Sequence, residues 1–156
     1  MANTSIGASL SALSPFQVIE QASFFSALTV GQQKRVAGVS KCVEFQSRKD
    51  IYRLGDEAQS CYVLVRGVVR FNLALGTRTA AAGEIIRSGE LFGWAALIRS
   101  AQRRIATASC MTQCDVVAVD GNSLLKLMDE DNSLGYAIMS RVSLLITSTI
   151  TALVTG

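Results

Sequence analysis

Between Lys41 and Asp120 the chain consists of short runs of β-branched and aromatic residues, each closed by a glycine or polar turn. That rhythm restricts it to an antiparallel barrel, roll or sandwich. The runs are Cys42 to Gln46, Asp50 to Leu54, Cys61 to Arg66, Gly67 to Leu75, Gly83 to Arg87, Ile105 to Ala108 with an extension to Cys110, and Cys114 to Asp120. Gly55-Asp56 and Gly76-Thr77 read as tight reversals, and Gly67, lying in a strand run, predicts a bulge or sharp bend. The expectation is a mainly β fold on the scale of eight strands, with helices on either side.

Helical spacing flanks this block. Phe16, Ile19, Phe24, Phe25 and Leu28, then Val30, Val36 and Val39, give helices over residues 15–40, broken at Gly31 and Gly38 and opened by Ser14-Pro15. Residues 121–156 hold two more, with Asp120 capping the first and Leu124, Leu125, Leu127 and Met128 on its buried side. Asn132 or Ser133 then caps a long last helix. In it Ile138, Val142, Leu145, Thr149 and Ala152 form a seam suited to a second copy of the chain, while Met139, Ile146, Ile150 and Leu153 lie on another face. The uncharged stretch Val142 to Val154 is too short to cross a bilayer, and lengthening it brings in Arg141 and several hydroxyls, so no membrane span is expected. Residues 1–14 are rich in Ser, Ala and Gly and read as a tail; residues 15–156 form one domain, with the β-block over 41–120.

The segment Ser88 to Cys110 is the place where chemistry is written. Gly93 allows a backbone bend, Ala95 and Ala96 allow close approach to the main chain, and Arg104 brings a permanent charge with a fork of donors. Together these make a cradle for an anion. Trp94, in the middle of it, either fills an empty pocket as a core aromatic or stacks on a planar ligand.

Composition narrows the function classes. With no histidine and no nucleophile beside a base, an enzyme is not expected, nor a metal site. Fifteen basic against twelve acidic side chains is too mild for a nucleic-acid binder, since the basic residues cluster only at Arg99, Arg103 and Arg104. The four cysteines, Cys42, Cys61, Cys110 and Cys114, come without a secretory pattern at the N-terminus, so a reducing, cytoplasmic setting and free thiols are expected. Cys110 and Cys114 face each other across a turn at Met111 to Gln113, which leaves a redox role open.

Gly55, Tyr62, Gly67 and Val69, followed by Phe92-Gly93 and Arg104-Ile105-Ala106-Thr107, resemble the cyclic nucleotide-binding domain, in particular the sensor half of transcription regulators of the cyclic-AMP receptor protein type. The resemblance covers about Phe24 to Thr155. It implies a double-stranded β-helix, or jelly-roll, with a phosphate cassette and a long C-terminal dimerisation helix. It also implies ligand contacts at Gly93, Trp94, Ala95, Ala96, Arg104, Ile105 and Thr149, the last through a hydroxyl on the C-terminal helix, with Thr147, Ser148 and Thr151 close by.

Two positions depart from the pattern. The carboxylate that takes the ribose hydroxyl is replaced by Trp94, and the Ser or Thr after the arginine is replaced by Ile105. Glu90 lies before the turn and is expected to point elsewhere. The implied function is a ligand-sensing regulatory domain with weak or altered nucleotide binding, taking a cyclic nucleotide or another anionic or planar effector. The alternative is a non-binding dimerisation or interaction module. No helix-turn-helix occurs before Gly156, so the expectation is the effector half of a regulator or a stand-alone domain, a homodimer without nucleic-acid contact of its own.

Overall fold

Ser14 and Pro15 open the first helix in the computed structural model, which describes residues 13–75, 78–79, 84–100 and 103–155. The Ser14 hydroxyl accepts from the Gln17 N–H at 3.3 Å while the Gln17 side chain accepts from the Ser14 N–H at 2.9 Å, so two otherwise orphaned donors are satisfied at the start of α1 (Pro15–Gln21). Thr29 and Gln32 repeat the device at α2 (Val30–Ala37), after a single 3-10 turn at Ser23–Phe25. Gly38 ends α2 as expected, whereas Gly31, expected as a break, lies inside the first turn of that helix. Most of the tail and the Gly76-Thr77 reversal lie outside the described residues.

Nine strands follow among the described residues: β1 (Ser40–Phe45), β2 (Asp50–Tyr52), β3 (Ser60–Arg66), β4 (Val69–Leu75), β5 (Arg78–Thr79), β6 (Glu84–Ile86), β7 (Leu91–Phe92), β8 (Ala106–Cys110) and β9 (Cys114–Asp120). All pairings are antiparallel, in one sheet ordered β1-β9-β3-β7 and a second ordered β2-β8-β4-β5 with β6 also on β4. The expected roll is therefore present. The two-residue strand β5 was not expected, because two letters carry no periodicity; β7, directly before the Gly93 turn, pairs with Tyr62 and Val63.

Gly67 makes the bend that its place in a strand run suggested. Its φ is +107°, and a Cβ there would lie 2.5 Å from the Gln113 carbonyl and 2.7 Å from the Cys114 sulfur. The pairing of β3 with β9 shifts register at Leu64 to Arg66, next to that bend.

Sheet β1-β9-β3-β7 is covered on both faces. Val63, Leu91, Val117 and Val119 belong to a cluster shared with the helices, whereas Leu64, Phe92, Cys114 and Val116 belong to the interior of the roll. For that reason β9 buries Val116 to Val119 without interruption instead of alternating.

Asp120 caps α3 (Gly121–Glu130) as expected, accepting from the Ser123 N–H at 2.9 Å. At α4 (Asn132–Thr155) the cap differs. Asp131, not Asn132 or Ser133, accepts from the N–H groups of Ser133 and Leu134 at 3.1 and 3.2 Å, and its other oxygen accepts from Gln32 Nε2 at 3.1 Å. These bonds hold the Asp131 carboxyl at about 2, the Gln32 contact contributing most.

The seam of α4 expected to meet a second copy faces the chain's own core, and the other face named from sequence divides, with Ile146 packed on that core and Ile150 exposed. Ile138 and Val142 are fully buried in the chain's own core and Leu145 packs against it, so this seam is already occupied. The outward side carries Tyr136, Ser140, Ser143, Thr147, Ile150 and Val154, spaced alternately four and three apart, with Tyr136, Ile150 and Val154 well exposed. Periodicity showed two apolar stripes but not which one met the roll. The hydroxyls of Ser140, Ser143, Thr147 and Thr151 each donate to the carbonyl four residues earlier, at 2.8 to 2.9 Å.

Candidate functional site

The cradle assembles where β7 ends. Gly93 takes φ +78°, turning the chain into a short 3-10 helix, Trp94–Leu97; a Cβ at Gly93 would come within 3.0 Å of Arg104 Nη1 and 3.2 Å of Tyr62 Cδ2. Glycine is required on both counts.

Main-chain pairing with the Gly55-Asp56 turn sets the arginine register. The Arg104 N–H donates to the Asp56 carbonyl at 2.7 Å, its carbonyl accepts from the Gly55 N–H at 2.9 Å, and Glu57 and Arg103 continue the bridge. Arg103 is thereby turned outward, with Nη1 on the Gly55 carbonyl at 3.3 Å, and Arg104 inward. Arg99 pairs with Asp129 at 2.6 Å on the surface, so the basic cluster seen in the sequence separates into three different environments.

Arg104 is only 4% exposed. Nη1 donates to the Gly93 carbonyl at 2.9 Å and Nη2 to the Ser60 carbonyl at 2.5 Å, while the guanidinium carbon lies 4.0 Å from the Tyr52 ring centroid and 5.9 Å from that of Tyr62. Nε is buried without a hydrogen-bond partner, and no carboxylate among the described residues pairs with this cation. Tyr52 rests in turn on a stack with Tyr62 and Phe92, centroids 5.3 to 6.4 Å apart. Burial pushes both tyrosine hydroxyls above the usual phenol range although the nearby Arg104 acts in the opposite direction, so Tyr52 meets the cation as a neutral ring.

Tyr52, Phe71, Gly93, Trp94, Ile105 and Arg104 line a void of about 10 Å³, together with Ala95 and Ala106. That is room for about one water molecule, against the roughly 300 Å³ or more of an ordinary ligand pocket. A second crevice, about 40 Å³, lies between the roll and α4 and is lined by Glu90, Gly93, Trp94, Leu145, Ser148 and Thr149, among others. Trp94 and Gly93 border both spaces. The indole is half-buried and packs on the core shared with the helices.

Of the residues singled out in sequence, Gly93, Trp94, Ala95, Arg104 and Ile105 thus surround one void, and Thr149 meets Trp94 and Gly93 in the neighbouring crevice. The Thr149 hydroxyl is engaged with the Leu145 carbonyl at 2.9 Å. Ala96 stands apart, since it does not line the void; its carbonyl and Cβ approach Gly121 so closely that a Cβ there would meet them at 2.9 and 3.1 Å. Glu90, set aside in the sequence, borders the crevice with Thr149 while accepting from the Arg87 N–H at 3.2 Å. Tyr52 and the Ser60 carbonyl were not foreseen. Tyr52 reads as one more inward strand residue, and a backbone carbonyl leaves no trace in the letters.

Cys61, Cys110 and Cys114 are buried and Cys42 is exposed, all as free thiols. Burial pushes the Cys61 thiol up to about 12, and burial with the Cys114 contact raises that of Cys110, so neither favours the thiolate that redox exchange requires.

Comparison with known proteins identifies the architecture. Residues 42–131 match the cyclic nucleotide-binding domain family. The fold is similar to the sensor domain of the transcriptional regulator DNR from Pseudomonas aeruginosa, with a TM-score of 0.67 and 19% identity over 82% of this chain and 90% of that one. It is also similar to the N-terminal domain of a transcriptional regulator from Streptomyces coelicolor, with a TM-score of 0.67 and 20% identity over 87% and 94% of the two chains. Catabolite activator protein from Thermus thermophilus gives 0.69 and 20%, over 83% of this chain and 61% of that one. No curated protein matches the chain in sequence.

Proposed function

The chain belongs to the cyclic nucleotide-binding domain family, and from that membership we propose that it is a non-catalytic, ligand-sensing regulatory domain of a transcription regulator, with a pocket altered so that cyclic nucleotides bind weakly or in a changed pose. The observation that supports this reading is Arg104, a buried cation with two carbonyls, a ring and, among the described residues, no counter-charge. Burying a charge without an ionic partner is costly, and a site that does so at the end of a glycine turn is suited to an anion. Gly93, Ala95 and Arg104 would make the anion contacts, with Ala96 supporting the turn from behind.

Trp94 and Ile105 account for the alteration. An indole has no acceptor for a ribose hydroxyl, and leaving that hydroxyl unpaired costs about 1 to 3 kcal/mol, up to roughly a hundredfold in affinity. The ring also occupies the boundary between the void and the crevice at Thr149. An effector that moves Trp94 acts on Leu145, Ser148 and Thr149 of α4, and binding changes the helix position only as far as it favours one arrangement over another.

Output through α4 fits a homodimer formed on its outward stripe. The helix is long and apolar enough to cross a membrane over Asn132–Ala152, but Ile138 and Val142 are committed to the chain's own core, and we read the protein as cytoplasmic. The small void favours a second reading, a non-binding interaction module plugged by Trp94. Calorimetry with cyclic AMP and cyclic GMP on the wild type and on Trp94→Glu separates the two. A gain of binding in the variant supports an intact but re-specified pocket; no binding by either protein transfers the assignment to the module.

A further inference from the structure

We propose that the groove between the end of the cassette and the two C-terminal helices is a second ligand site, and that it takes an uncharged small molecule with an apolar body and one hydrogen-bonding head. The groove holds about 440 Å³, against about 10 and 40 Å³ for the two spaces around Trp94. Small-molecule sites occupy roughly 300–1,000 Å³. Three elements meet there: Leu97 and Ile98 end the cassette, Leu125 and Met128 come from α3, and Asn132, Gly135, Tyr136 and Met139 recur along one side of α4. None of these residues borders either space around Trp94, so failure of this site leaves the sensing reading untouched.

The chemistry of the lining selects the occupant. Leu97, Leu125 and Met128 are buried and make a fixed apolar floor, while Met139 and Tyr136 stand exposed at its edge, so an apolar body laid there removes their surface from water. Gly135 keeps α4 close on α3, since a Cβ there would meet the Met128 carbonyl at 2.9 Å. Arg99 and Asp129, both in the lining, pair at 2.6 Å and cancel each other's charge. A phosphate or an amine would have to break that pair; a neutral molecule leaves it intact. The Asn132 amide and the Tyr136 hydroxyl make no hydrogen bond to another described residue, so donors and an acceptor wait at one end of the floor.

The test titrates N-phenyl-1-naphthylamine, an uncharged aromatic molecule with one N–H, into the whole chain isotopically labelled at its methionine methyls. The Met128 and Met139 signals, assigned by their loss in Met128→Leu and Met139→Leu, should shift saturably, whereas Met111, 44% exposed in the β8–β9 turn, should not move. Asn132→Leu keeps the apolar floor but removes the polar head's partner, and should bind about fivefold more weakly. Leu144→Ser, which removes an exposed apolar side chain of α4 outside the groove, should bind as the wild type does. Unmoved Met128 and Met139 signals overturn the site. So does a shift at Met111 as large as theirs, or an equal loss in Leu144→Ser and Asn132→Leu, because the molecule is then spread over exposed apolar surface. Signals of Met128 and Met139 that move with protein concentration but not with the added molecule give the groove to a second copy of the chain and overturn the ligand.

Discussion

Gly93 and Arg104 hold each other in place: the arginine donates to the glycine carbonyl at 2.9 Å, and the Cβ that any other residue would carry at 93 would press on that same nitrogen at 3.0 Å. Gly93→Ala therefore forces a left-handed residue and moves the guanidinium. It is expected to destabilise the fold by about 1 to 2 kcal/mol in urea unfolding and to shift the Arg104 Nε–H resonance in the native state.

Gly67→Ala is expected to be more severe. The added carbon would meet a carbonyl at 2.5 Å and a sulfur at 2.7 Å, at φ +107°, in the bend linking the two sheets. A loss of about 3 kcal/mol or more, read by thermal unfolding, follows from strain plus overpacking.

Acid stability should carry the signature of Asp131. Its folded value, about 2, lies below the 3.8 of the free carboxyl, so its contribution is complete above about pH 4 and is lost as pH falls towards 2. Asp131→Asn keeps acceptor capacity but removes the charge. Its stability measured by denaturant between pH 5 and pH 2 should fall less steeply than that of the wild type.

Thiol exchange with a disulfide reagent should label one cysteine of four in the native protein and all four after unfolding. Cys42 is the exposed thiol; Cys61, Cys110 and Cys114 are buried, with burial holding the Cys61 and Cys110 thiols protonated. Rapid native labelling of two or more would contradict the buried placement of the Cys110–Cys114 pair.

The two faces of α4 should respond differently to substitution. If the protein forms the homodimer proposed above, Ile150→Asp, on the outward stripe, is expected to lower the apparent mass in sedimentation velocity from dimer to monomer and to leave the monomer folded. Val142→Ala, facing the roll, is expected to cost about 2 kcal/mol of stability and leave association intact.

The roll was legible because its punctuation is local. Gly55, Gly67 and Gly93 each have positive φ, and the β runs between them keep their pattern whatever they pack against. The cassette glycine and the inward arginine were legible for the same reason, since Arg104 takes its register from a turn that the letters Gly55-Asp56 announce. What escaped is non-local. Tyr52 meets Arg104 across 52 positions, and β9 lies between two cores, so an unbroken apolar run carried no sign of which neighbour each side chain met. On α4 more than one stripe carries apolar residues, and choosing the inner one depends on the shape of the roll rather than on the helix.

The back-bonded hydroxyls along the outer side of α4 have a mechanical consequence. Because these four donors are already satisfied within their own helix, a second helix laid there, as proposed above, would find their oxygens only as acceptors, and few polar latches to break on displacement along the axis. Such a junction favours gliding over snapping, so a small tilt begun at the indole would travel down the pair as a graded shift in alignment.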